Sequence, residues 1–319
     1  MASQKKQMAL QSAPKSPLKL ALTGFDSGWG CRDYGCEDGP YKLKTKSLNR
    51  PLAEHQVMVS PVAILGLKKL GKHRDFKTKE DNFHLVYEGL KRLHFKLKQD
   101  LKKTHLPVVI GGDHSSAIAT WSSIITHHKA EGAFGLIWLD AHLDAHTPET
   151  CHEGKWGGWW HGMPVTALCG YGLPAFTKLG GTKAKINPKH MTMIGIRSFE
   201  PSEVKFVKKH KIKTAYADDV AAKGFDAIFK TALKRATTGT KGFGISIDLD
   251  GFDPKDAPGV GTNEKNGLRA KDVLHTLRGI GHHPLFKGLE IAEFNPHKDK
   301  NGKTAQLIHN IILATFARP

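Results

Sequence analysis

Short, mostly apolar runs punctuate this chain, and three of them end on acidic or histidine-bearing segments. Leu106–Ile110 is followed by Gly111-Gly112-Asp113-His114, Phe134–Leu139 by Asp140-Ala141-His142-Leu143-Asp144, and Phe243–Ile247 by Asp248-Leu249-Asp250-Gly251-Phe252-Asp253-Pro254. A strand that is apolar on both faces must be covered on both, which is the position of a parallel strand inside an α/β sheet. Further runs read as strands at Leu18–Thr23, Val57–Val59, Met191–Gly195, Lys213–Ala215 and Phe286–Ile291. Together with Pro107–Ile110, Gly135–Leu139 and Gly242–Ile247 they predict an eight-stranded sheet. Helical patterns fill the gaps. The clearest is Asp81–Lys103, where Phe83, Val86, Leu90, Leu93, Leu97 and Leu101 recur at three- and four-residue steps. Others run over Ser115–His128, Pro164–Leu168, Ser202–Lys209, Asp219–Thr237, Arg269–Gly279 and Thr304–Phe316. Strand and helix alternate throughout, so the fold class is α/β.

That alternation continues from Leu18 to Thr315 without a compositional break, so a single domain over residues 17–319 is expected, preceded by a flexible basic arm at residues 1–16. The arm lacks the apolar stretch of a signal peptide, and no apolar run is long enough to cross a bilayer. The expectation is a cytoplasmic protein with no membrane partner. Cys31, Cys36, Cys151 and Cys169 show no C-x-x-C spacing and are expected to be reduced thiols. A formal charge of +18 raises the question of nucleic acid. The lysines, however, are spread over almost every helical pattern as solvated faces, and no nucleic-acid-binding module is present, so no specific nucleic-acid partner is expected.

The polar strand ends carry the chemistry. Ligands of open α/β sheets bind at the carboxyl ends of strands, and in extended chain residues i, i+2 and i+4 share a face, so Asp140, His142 and Asp144 converge, as do Asp248 and Asp250. Any one Asp-x-His or Asp-x-Asp alone is more often a cap or a surface turn. Their joint occurrence at strand ends is not. With His114 these residues form a six-membered ligand set, and the four aspartates balance two divalent cations. Carboxylate and imidazole donors favour manganese first, with cobalt, nickel or zinc as alternatives. Gly111-Gly112 lacks the Lys-Ser/Thr of a P-loop, so the pair is expected to make a tight turn that aims His114, with Asp113 supporting it.

Gly-Gly-Asp-His, Asp-Ala-His-x-Asp and Asp-x-Asp-Gly-x-Asp-Pro, in this order and over most of the chain from Phe25 onward, resemble the arginase or ureohydrolase family, and most of all a bacterial-type arginase. The resemblance implies a three-layer α/β/α sandwich with a central, mostly parallel eight-stranded sheet. It implies two Mn2+ per subunit, one held by His114, Asp140, Asp144 and Asp248, the other by Asp140, His142, Asp248 and Asp250, with a hydroxide between them. It implies a homo-oligomer, trimer or hexamer. Glu293, in Glu290-Ile291-Ala292-Glu293, matches the glutamate that holds the guanidinium, and His161, in His161-Gly162-Met163-Pro164, the histidine that shuttles protons to the leaving amine, a role that Glu153 or another neighbour could share. The catalytic set is thus His161, Glu293 and the ligand Asp144. Thr262 matches the threonine beside the guanidinium.

The substrate is then a small guanidino compound, and the loops decide which. His146-Thr147-Pro148 stands where arginases have Asn-Thr-Pro, which nominates His146 and Thr147 for the amino-acid end. Arg197-Ser198-Phe199-Glu200-Pro201-Ser202-Glu203 resembles the segment whose acid binds the α-amino group, which nominates Glu200 and Glu203. The expected reaction is L-arginine to L-ornithine and urea, with agmatine or another guanidino acid as the alternative substrate. The segment up to His161 is longer than in common arginases and has Gly157 or Gly158 in place of an expected serine; Trp156, Trp159 and Trp160 in it are expected to anchor the loop. The competing class is an inactive metal-binding structural or nucleic-acid-binding protein, against which the full ligand set, Glu293 and His161 weigh.

Overall fold

Among the described residues nine strands, every pair of them parallel, form one sheet. They are β1 (Leu18–Gly24), β2 (Val57–Val59), β3 (Ala63–Ile64), β4 (Leu106–Ile110), β5 (Phe134–Leu139), β6 (Met191–Ile196), β7 (Lys213–Tyr216), β8 (Gly242–Asp248) and β9 (Phe286–Ala292). The structure, a computed structural model, describes residues 17–32, 34–43, 45–71, 80–151 and 159–318. The N-terminal arm, Glu153, Trp156, Gly157 and Gly158 lie outside the described residues. All eight expected strands are present; the ninth, β3, is two residues paired to the end of β1, too short to leave a pattern in sequence.

The strands follow the order β2-β1-β4-β9-β8-β5-β6-β7. Alternation sends their side chains to two sides. From β5, Ile137 and Leu139 join a core with Phe229, Leu277 and Leu307, which come from the helices Phe225–Thr237, Ala270–Leu277 and Lys303–Phe316. Leu136 and Trp138 join the opposite core with Ala117, Trp121 and Ile124 of the helix Ser116–His127. Beside that helix packs Phe83–Lys102, whose Val86, Leu90, Leu93 and Leu97 are buried with Val109 of β4. Helices thus cover both faces of the sheet. Truncating one of these leucines to alanine costs about 2–5 kcal/mol.

The expected helix Asp219–Thr237 is two helices, Ala217–Lys223 and Phe225–Thr237, broken at Gly224 with φ 80°. A residue without a Cβ takes that conformation at no steric cost, which the apolar periodicity on either side conceals.

Strand register places the site. Ile110 pairs with Ile291, Ile291 with Ile247 and Ile247 with Leu139, so the carboxyl ends of β4, β9, β8 and β5 lie level along one edge of the sheet. The polar segments that follow these strands therefore meet there.

Candidate functional site

Across that edge His114 Nδ1 lies 3.0 Å from Asp248 Oδ2, 3.1 Å from Asp144 Oδ2 and 3.4 Å from Asp140 Oδ2. His142 Nδ1 lies 3.2 Å from Asp250 Oδ2 and 3.6 Å from Asp140 Oδ1. The six residues fall into two groups, His114 with Asp140, Asp144 and Asp248, and Asp140 with His142 and Asp250. Asp140 belongs to both. Asp248 is grouped with the first and accepts the Asp250 N–H at 2.9 Å.

The convergence is not the strand alternation expected from sequence. β5 ends at Leu139, and Asp144 has φ 46°, a left-handed conformation uncommon for a residue with a side chain. Asp250 sits in the single turn Leu249–Gly251 that follows β8. Turns, rather than continued pleat, fold these carboxylates back over the sheet edge. Glu293 likewise has φ 66°. Strained backbone of this kind persists where surrounding contacts fix it, and here it occurs at two residues of the site.

The electrostatics fit bound cations. Burial, then Asp140, pushes the Asp144 carboxyl up to about 6, and burial, then Asp250 and Asp140, raises Asp248 well above the carboxylate range. Burial also opposes charge on His114 and His142, yet the surrounding aspartates raise both imidazoles well above their ordinary value. Without cations the carboxyls must take up protons and the imidazoles must carry charge to offset one another. His114 Nδ1 and Asp144 Oδ2 are moreover buried without a hydrogen bond. Donors that are buried, convergent and unsatisfied are what a pair of divalent ions requires.

A second set of contacts orients the ligands. Glu290, fully buried in β9, accepts hydrogen bonds from Ser116 Oγ and Thr120 Oγ1 at 2.8 Å, Trp121 Nε1 at 2.9 Å and Ser246 Oγ at 2.7 Å. With its one proton given to Glu290, Ser246 turns its lone pairs to His114 Nε2 at 3.1 Å. His114 then carries its proton on Nε2 and presents the Nδ1 lone pair to the carboxylates. Trp138 Nε1 donates to Asp140 Oδ2 at 2.7 Å. Arg197 hydrogen-bonds through its guanidinium to the carbonyls of Gly195, Asp250, Gly251, Phe252, Glu264 and Lys265, tying the Asp250 turn to the segment that follows Thr262. Sequence reading missed Glu290, Ser246, Trp138 and Arg197. The first three lie inside strands, where alternation toward the His114 side was their only signal.

Gly111 and Gly112 do not serve a left-handed turn, since neither has positive φ. Gly112 is needed because any Cβ would run into the Ser27 carbonyl, a contact between distant segments that sequence does not reveal. Asp113 accepts the Gly30 and Ser115 N–H groups at 3.0 Å, and burial, then Glu293, pushes its carboxyl up to about 6.

The cavity above the aspartates is lined by Asp144, Asp248, Asp250, Glu293, Glu200 and Glu203, together with His142, His146, His161, Ser198, Thr262 and Trp159. Among these described lining residues there is no Lys or Arg. Glu293 Oε1 accepts the His114 N–H at 2.8 Å and lies 3.2 Å from His161 Nδ1; against the pull of burial, that carboxylate raises the His161 imidazole above its ordinary value. At the far end His146 Nε2 lies 3.3 Å from Glu200 and 3.7 Å from Glu203. Glu203 takes the N–H groups of Ala145 at 2.9 Å and Glu200 at 3.0 Å, capping the helix Pro201–Lys209; burial, then Glu200, still pushes its carboxyl up to about 9. Thr147 is not on the cavity wall: its N–H is bound to Thr150 Oγ1 in the turn Thr147–Thr150. Trp160 packs against Phe83 and Phe176 and anchors its segment, whereas Trp159 also faces the cavity.

The sequence profile of the Arginase family matches residues 18–317. The chain belongs to the arginase family. It is 30% identical over 289 residues to an arginase of Bacillus caldovelox, covering 90% of this chain and 94% of that one. The structure of the Bacillus caldovelox arginase superposes with a TM-score of 0.84, covering 95% of this chain and 99% of that one. An Entamoeba histolytica arginase solved in complex with L-ornithine, 25% identical, matches with a TM-score of 0.82 over 94% of this chain and 98% of that one. Arginase-family enzymes are binuclear metal enzymes, and the two His/Asp groups are the counterpart in this chain.

Proposed function

We propose that this protein hydrolyses the guanidinium of L-arginine to L-ornithine and urea. The observation that carries the reading is the cavity itself: carboxylates line it from the metal-binding floor to Glu200, with no Lys or Arg among its described lining residues, so it receives a cation. Relatives named arginase at about 30% identity and near-full coverage support arginine over agmatine or another guanidino acid.

Bound divalent ions would be held by His114, Asp140, Asp144 and Asp248 and by Asp140, His142, Asp248 and Asp250, and supply the Lewis acidity that makes water nucleophilic near neutral pH. The chain's own residues do the rest. Glu293 pairs with the substrate guanidinium and fixes its carbon above the floor, with Thr262 at its side. His161, partly exposed and held by Glu293, carries a proton from solvent to the departing amine, which must leave neutral. Glu200 meets the α-amino group, oriented by His146 and by Glu203 at the helix start, and Thr147 contributes through the turn that carries His146. Manganese is the proposed metal because the donors are carboxylate oxygen and imidazole. A trimeric or hexameric assembly, which rests on the family resemblance, and a single domain over 17–319 acting in the cytoplasm, which rests on the sequence pattern, belong to the same reading; no helix among the described residues is long and apolar enough to cross a membrane.

Urea release from arginine, agmatine and guanidinobutyrate by the manganese-loaded protein tests the reading. Arginine is expected to be turned over best. Release from agmatine alone would overturn the substrate, and release from none the reaction.

A further inference from the structure

We propose a third metal site, for a soft divalent cation such as zinc, formed by Cys31 Sγ, Cys36 Sγ and a carboxylate oxygen of Glu293, and inhibitory to the reaction. These three ligand atoms lie within 4.8 Å of one another and all three residues are buried. The sulfur atoms are 3.9 Å apart. That is far beyond the roughly 2.05 Å of a disulfide, and close to the ~3.8 Å that separates two thiolates each about 2.3 Å from one tetrahedral ion. The donor set differs in kind from that of the binuclear floor, which has no sulfur: two thiolates select a softer ion than carboxylates and imidazoles do.

Gly30 and Gly35, each next to one of the cysteines, are held in place before any ion arrives. A Cβ at Gly30 would overlap the Asp113 carboxylate and one at Gly35 would overlap the Asn295 amide, so both glycines are packed hard against the β4 and β9 ends. The Gly30 carbonyl also accepts the His161 N–H at 3.0 Å. An ion entering this set therefore meets ligands already in place, which lowers the ordering cost of binding. Binding breaks two S–H bonds and forms two metal–sulfur bonds, with both protons released to solvent; no oxidant or reductant is needed.

Glu293 links the site to catalysis. It lines the substrate cavity and faces His161. A cation held by the thiolates draws its carboxylate away from the substrate guanidinium and places a like charge beside it. The inhibitory half of the proposal rests on the role of Glu293 given above; the binding half does not.

The test uses the full-length, manganese-loaded protein, desalted and titrated with Co2+ and, separately, Zn2+. Cobalt bound by thiolate gives a charge-transfer absorption in the near ultraviolet that carboxylate and imidazole sites do not. The expected result is that band and one further equivalent of metal in the wild type, both lost in Cys31→Ser and in Cys36→Ser, which keep basal urea release and thereby show that they fold. Zinc should lower wild-type turnover about tenfold or more, the scale on which disturbed outer ligands act, and leave both variants much less affected. No band in the wild type, or a band that persists in both variants, overturns the site. A third equivalent bound without loss of turnover overturns the inhibition and assigns the failure to the reading of Glu293.

Discussion

Glu293 Oε1 lies 3.2 Å from His161 Nδ1 while accepting the main-chain N–H of the metal-site residue His114 at 2.8 Å. One oxygen thus joins the floor of the cavity to the residue proposed to exchange protons with solvent. Two residues that share an interaction of this kind do not act additively. We predict that His161→Ala and Glu293→Gln each lower turnover by about 10²–10⁴-fold, the usual range for a general acid, and that the double variant loses less than the product of the two. Elemental analysis should find the metal content of His161→Ala unchanged; loss of metal would show that His161 belongs to the floor.

Asp140 falls in both geometric groups and is proposed, with Asp248, to serve both ions, whereas Asp250 belongs only to the group with His142. Asp140→Ala is therefore expected to abolish metal occupancy at both positions together with urea release, and Asp250→Ala to lower occupancy at one. Metal-to-protein ratios after dialysis distinguish the two. Full activity of Asp140→Ala would remove it from the centre.

Ser246 links Glu290 to the His114 imidazole, donating to the first at 2.7 Å and facing the second at 3.1 Å. Ser246→Ala takes away the acceptor for His114 Nε2–H and leaves a Glu290 oxygen short of a donor. Loss of such an orienting contact costs about 10–100-fold in metal affinity. Metal titration of the variant should show that weakening with the fold intact, and an unaltered affinity would mean that packing alone fixes the imidazole.

The contrast between Asp140 and Ser246 shows what sequence carries. Strand positions, the parallel class and the six His and Asp residues that fall into the two groups were legible because apolar runs and polar strand ends are local signals. The way the ligands converge was not. Asp144 and Asp250 reach the floor through turns, one with left-handed backbone, and no periodicity marks such a turn. Glu290 and Ser246 sit in strand interiors, where a polar residue reads as an interruption until the neighbouring strands are known. Thr147 was nominated from its place in a motif and lies in a turn off the cavity wall, because the hydrogen bonds that decide its direction come from Thr150.

Gly112 is fixed by distance rather than by conformation. Its backbone passes so close to Ser27 that a methyl group would overlap the carbonyl, while the neighbouring Asp113 N–H donates to that same carbonyl at 2.9 Å. Overpacking against backbone has no soft side chain to absorb it and costs about 1–3 kcal/mol or more. Gly112→Ala should lower the melting temperature and metal content together, since the displaced segment carries His114. A variant as stable as wild type would mean that the Ser27 loop yields.

Acid should destabilise the fold through histidines outside the site. Burial holds His94, His128, His282 and His283 below their ordinary value of 6.5. His283 has a further reason to stay neutral, because its Nδ1 accepts the Leu285 N–H at 3.1 Å. Between the depressed folded value and 6.5 the unfolded chain binds a proton that the folded chain does not, so stability rises with pH across that window. The contribution is fully present above 6.5 and is lost as pH falls through the folded values. Asp113, Asp144 and His161, whose values are raised, act with the opposite sign, so the His94 share is read by comparison: between pH values of about 7.5 and 5.5 the urea-unfolding midpoint of His94→Gln, which removes one depressed group beside Ser123, should shift less toward instability than that of the wild type. An equal shift in variant and wild type would exonerate His94, and a larger loss in the variant would contradict the sign of the argument.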